Sequence, residues 1–127
     1  MTKTVFIFGN PDLENDSLPI KLIPQLEREF PAISFEVKDP NEEWDIPEEV
    51  MIIDTVINLG EVTVFDDLDS FYVSPRLTMH DFDALANLKY MKKLGKLKKI
   101  KIIGVPAEMF FAEALTGVTT ELNKFLR

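Results

Sequence analysis

The stretch from Val50 to Phe65, VMIIDTVINLGEVTVF, decides how the rest of the chain is read. Its first four residues form a continuous apolar run, which suits a strand buried on both faces, as strands of a parallel sheet are. The run closes at Asp54. Asn58-Leu59-Gly60 then makes a turn into Val62-Thr63-Val64-Phe65, a second strand. So short a connection predicts that these two strands pair antiparallel.

Working toward the N-terminus, Ile33-Ser34-Phe35-Glu36-Val37 alternates and reads as a strand exposed on one face. Before it, Leu18, Leu22, Leu26 and Phe30 recur every four residues with Ile23 beside them, one apolar stripe of a helix. Asp16 or Ser17 suits its N-cap and Pro19 its first turn, whereas Pro24 removes an interior hydrogen bond and predicts a kink. Thr4-Val5-Phe6-Ile7-Phe8, closed by Gly9, is another doubly buried strand.

Toward the C-terminus, Phe82, Leu85, Leu88, Met91 and Leu94 predict a second helix that Gly95 can end. Ile100, Ile102, Ile103 and Val105 make the last strand. The remainder, from about Glu108, reads as helix interrupted near Gly117. The pattern is α/β: a single three-layer domain over residues 1–127, with a five-stranded, mostly parallel twisted sheet, one antiparallel strand, and helices on both faces.

Composition narrows the function. The chain has 127 residues and no cysteine, which excludes disulfides, thiolate metal sites and a cysteine nucleophile, and fits a cytoplasmic setting. No leader opens it, no apolar run is long enough to span a membrane, and a monomer is expected. Fourteen basic residues against 22 acidic ones give a net charge of −8, which repels a phosphate backbone and argues against nucleic acid. The local exception is KYMKKLGKLKKIK, residues 89–101, with seven of the 14 cations. It reads first as a solvated helix end and second as a docking patch for an acidic partner.

In open α/β sheets ligands gather outside the carboxyl ends of the strands. Three polar residues belong there: Asp16 between strand one and helix one, Asp54 closing strand three, and His80, the chain's one histidine, ahead of helix two. Two carboxylates and a neutral imidazole suit a borderline divalent cation and leave a coordination position open. Asp16 suits a helix cap equally well, and His80 a surface or capping role. Asp54 carries most weight, because a carboxylate after Met-Ile-Ile is costly unless paired or bound.

Four short motifs in order resemble the [NiFe]-hydrogenase maturation proteases. Gly9-Asn10 followed by an acid at Asp16 resembles the family's opening, and MIIDTVINLGEVTVFD (51–66) its strand, Asp, loop, Gly-Glu and second strand. TMHDFDALANL (78–88) resembles its His-bearing helix start, and KIIGVPAE (101–108) its Gly-x-x-Pro-acid strand end. The resemblance covers roughly residues 5–108. Asn15 and Ser17 depart from it, as does Asp39-Pro40-Asn41, which stands where the family often has Asp-Gly-Gly.

The resemblance implies an endopeptidase that removes the C-terminal extension of a nickel-loaded hydrogenase large-subunit precursor. Asp16, Asp54 and His80 match the family's nickel-coordinating residues, and the nickel comes with the substrate. Two alternatives share parts of the pattern. A non-catalytic escort of a metallated precursor has the same features. A receiver-type phosphoacceptor module also places an acid after strand three, but wants adjacent acids after strand one and a lysine ending strand five.

Overall fold

The structure, a computed structural model, describes residues 3–9, 17–38, 47–56, 59–66 and 93–125. Strand β1 (Lys3–Phe8) leads to helix α1 (Leu18–Glu29), then β2 (Ile33–Lys38), β3 (Glu49–Val56), β4 (Thr63–Phe65), β5 (Lys99–Pro106) and helix α2 (Phe111–Phe125). The five strands form one sheet in the order β2-β1-β3-β5-β4. β1 pairs parallel with β2 and β3, and β3 pairs parallel with β5. β4 alone runs antiparallel. The α/β sheet expected from the apolar runs is present.

Alternation along the strands sorts the core into two layers. Val5 and Ile7, Met51 and Ile53, and Ile103 and Val105 face α1 and α2, meeting Leu18, Leu22 and Leu26 of α1 and Ala114, Val118 and Leu122 of α2. Phe6, Phe8, Val50, Ile52, Val56, Ile100 and Ile102 face the other way and pack with Leu97. Ile52 and Ile53, adjacent in β3, are both fully buried, so the strand is covered on both sides, as its unbroken apolar run predicts. Each such side chain contributes about 1.5–3 kcal/mol by leaving water.

Several expectations need correction. β4 does not pair with β3: β5 lies between them, and Val64 faces Ile103 in an antiparallel register. The turn reverses the chain, yet β3 already has β1 and β5 as its two neighbours, so β4 takes the sheet edge beyond β5. β3 also runs on past Asp54 to Val56. Helix α2 is not interrupted at Gly117. A Cβ there would lie 2.6 Å from Val62 Cγ2, so this glycine lets the helix approach the segment entering β4. Pro24, where a kink is expected, lies inside helix α1, which runs on to Glu29.

Both described helices cover the same face of the sheet. Residues 82–92 of the second expected helix, and most of the acidic excursion around Trp44, lie outside the described residues. The expected stop after that helix is described: Gly95 has φ +78°, a left-handed backbone that glycine adopts without strain.

Candidate functional site

The carboxyl ends of β1, β2, β3 and β5 point to one edge. From β1 the chain crosses to β2 on one side and then to β3 on the other, so the order reverses between β1 and β3. A crevice opens at such a switch point, because the connections on either side diverge. Asp54 sits there.

The last β1 partner of β3 is Ile7, opposite Ile53. One residue further along β3 comes Asp54, only 3% exposed. Its Oδ1 accepts the backbone N–H of Thr55 at 2.8 Å, which fixes the carboxylate against its own strand. On the other side Asp54 is in register with Gly104 of β5. A Cβ at Gly104 would fall 2.9 Å from Val56 Cγ2, 3.0 Å from Phe65 Cε2 and 3.3 Å from Leu59 Cδ2. The glycine thus lets apolar side chains close in beside the acid. A carboxylate in such surroundings is costly unless hydrogen bonds or a cation compensate it.

Asp16 and His80 lie outside the described residues. Ser17, which follows Asp16, is 2% exposed and stands at the N-cap of α1 without a side-chain capping bond. Of the three proposed ligands the described residues therefore contain Asp54 alone, and they hold no cluster of three acidic, histidine or cysteine side chains.

No protein-family model and no curated protein matches the sequence. Solved structures do match. The [NiFe] hydrogenase maturation protease HybD from Thermococcus kodakarensis superimposes with a TM-score of 0.63 over 98% of this chain and 99% of that one, at 20% identity. The hydrogenase maturating endopeptidase HybD from E. coli gives 0.65 over 98% and 94%, at 14% identity. The hydrogenase 3 maturation protease gives 0.65 over 95% and 89%, at 17% identity.

The chain has the fold of the hydrogenase maturation proteases.

Within this fold, the described part of the basic stretch, residues 93–101, runs into β5 from the amino edge, away from Asp54. Lys98 and Lys99 precede and open β5 at the amino edge, where they meet Glu48 and Glu49 at 3.6 and 3.7 Å. Lys101 reaches Asp66, just past β4, at 3.8 Å. All these side chains are at least half exposed, as the solvated reading expects. Pro106, which ends β5, is at the carboxyl edge, and its carbonyl accepts the Met109 N–H at 3.3 Å.

Sequence reasoning passed over Thr55. It is 2% exposed and on the helix side of β3, and its Oγ1 has no hydrogen-bond partner among the described residues. The available signal was a hydroxyl inside an apolar strand, next to an acid already singled out.

Proposed function

We propose that the protein is an endopeptidase that trims the C-terminal extension from a nickel-loaded [NiFe]-hydrogenase large-subunit precursor, with Asp16, Asp54 and His80 recognising the metal. One observation carries the reading: Asp54 is a buried carboxylate at the switch point of a fold shared with maturation proteases along nearly its whole length. The donor chemistry fits. A carboxylate held by a backbone N–H is an oriented oxygen ligand, and a second carboxylate with a neutral imidazole completes a set suited to a borderline cation.

In this reading the nickel belongs to the substrate. The protein's residues grip the ion and so bring the adjoining peptide bond to the carboxyl edge of the sheet. A divalent ion at that place polarises a scissile carbonyl or lowers the pKa of a bound water. Asp54 and Asp16 act as carboxylates and His80 as the neutral imidazole. The enzyme needs no resident metal.

The test is incubation of the protein with a precursor subunit, with and without nickel, followed by mass spectrometry of the precursor. Nickel-dependent loss of the extension is expected, and its abolition in Asp16→Asn, Asp54→Asn and His80→Ala. Cleavage unchanged in all three variants refutes the assigned roles. Nickel-dependent binding that leaves the precursor mass intact identifies the protein as an escort. The receiver alternative is disfavoured by β4, an antiparallel edge strand that follows β3 without an intervening helix.

A further inference from the structure

At the carboxyl edge, on the helix side of the sheet, lies an open groove of about 480 Å³ that the peptidase reading does not use. Val62, Met109, Ala112 and Gly117 give it an apolar lining. Gly117 has no side chain to meet Val62, so α2 packs close to the segment entering β4 along this groove. Glu61 enters from the segment before β4, and Glu113 from the first turn of α2. Asp54 is on the other face, with Val50, Ile52 and Val56. The groove is therefore a separate feature of the same edge.

Two observations indicate what it takes. Phe110 and Phe111, between the lining residues Met109 and Ala112, are 76% and 41% exposed. Adjacent exposed aromatics beside a concave apolar surface are characteristic of protein interfaces. The carboxylates of Glu61 and Glu113 take part in no ion pair among the described residues, whereas Glu48, Glu49, Asp66 and Glu121 each have a lysine. Two uncompensated acids in a chain of net charge −8 favour a cationic occupant and disfavour phosphate or an anionic lipid surface.

We propose that this groove docks a short segment of a protein partner that carries lysine or arginine beside apolar side chains. The cation meets Glu61 and Glu113, and the apolar side chains cover Met109, Phe110 and Phe111. The docking surface stands on the opposite face of the sheet from Asp54, and cleavage plays no part in its test.

The probe is a dye-labelled peptide, Gly-Leu-Lys-Phe-Arg-Leu-Ser-Gly, titrated with the full chain and followed by fluorescence anisotropy. Reversing both groove acids, Glu61→Lys with Glu113→Lys, weakens binding by about tenfold or more. Glu48→Lys with Glu49→Lys changes the net charge equally but at the opposite edge, and alters binding by less than about twofold. Ala112→Trp fills the groove from an exposed position and abolishes binding while the circular dichroism spectrum stays native. Failure of the unaltered protein to bind, a loss below tenfold in the groove variant, an equal loss in the control, or retained binding with Trp at 112 each overturns the proposal.

Discussion

At the amino edge of the sheet, Lys98 and Lys99 meet Glu48 and Glu49 with about two-thirds or more of each side chain in water. At the carboxyl edge, Asp54 is 3% exposed, tied to a backbone N–H and flanked by Val56, Leu59 and Phe65 around Gly104. Exposed pairs of the first kind are worth about 0–1 kcal/mol each and are screened by salt. A buried charge of the second kind costs on the order of several kcal/mol before its contacts repay it. A surface can keep paired charges for solubility alone, whereas a carboxyl group inside an apolar strand is costly to keep and must be held by its contacts. That contrast, more than the count of lysines, sets the carboxyl edge apart from the solvated one.

Substitutions at the two edges and in the core between them test this difference. The largest effect belongs to the core that holds Asp54 in place. Ile52→Ala, two residues along the same face, should lower stability by about 2–5 kcal/mol in denaturant unfolding; a loss below 1 kcal/mol means that β3 is not the rigid platform described. Next comes Asp54→Ala, expected to reduce kcat/KM for nickel-loaded precursor by about a hundredfold or more. Lys98→Gln with Lys99→Gln should leave that value within about twofold. Equal losses at the two edges erase the distinction.

Gly117→Ala should be smaller. The added methyl meets Val62 at 2.6 and 2.8 Å, an overpacking cost of about 1–3 kcal/mol, offset by about 1 kcal/mol of helix propensity. Val62→Ala in the same chain should recover part of the loss, and no recovery means that the two residues do not touch. Smallest is the stability change for Lys98→Gln with Lys99→Gln, at most about 1 kcal/mol in thermal unfolding and shrinking further with added salt.

Much of this was legible from residue order. Uninterrupted Val, Ile and Phe runs marked β1 and β3 as doubly buried, because parallel strands covered on both faces carry such runs, and Ile100, Ile102, Ile103 and Val105 marked β5 as a strand. The stripe from Leu18 to Phe30 marked α1. Three features were not legible, and the reasons differ. Asp54 looked like a strand end because charges usually stop strands; here the carboxylate accepts a neighbouring N–H, and the ladder to β5 continues through Thr55 and Val56. The partner of β4 depends on which neighbours β3 already has, a long-range fact. Gly117 looked like a helix breaker because a glycine's use for close approach appears only when Val62 is set against it. In the candidate site, the singular position of Asp54 was read from Met-Ile-Ile ahead of it. The grouping with Asp16 and His80 rested on the expectation that all three stand at strand ends and on family resemblance, and both residues lie outside the described ones.

The most direct measurement is a crystal structure of the protein soaked with nickel, with anomalous diffraction recorded at the nickel edge. One strong anomalous peak is expected at the carboxyl ends of β1 and β3, roughly 2.0–2.2 Å from a carboxylate oxygen of Asp16, one of Asp54 and an imidazole nitrogen of His80. A peak elsewhere on the molecule, or His80 and Asp16 turned away from Asp54 across the sheet, contradicts that expectation.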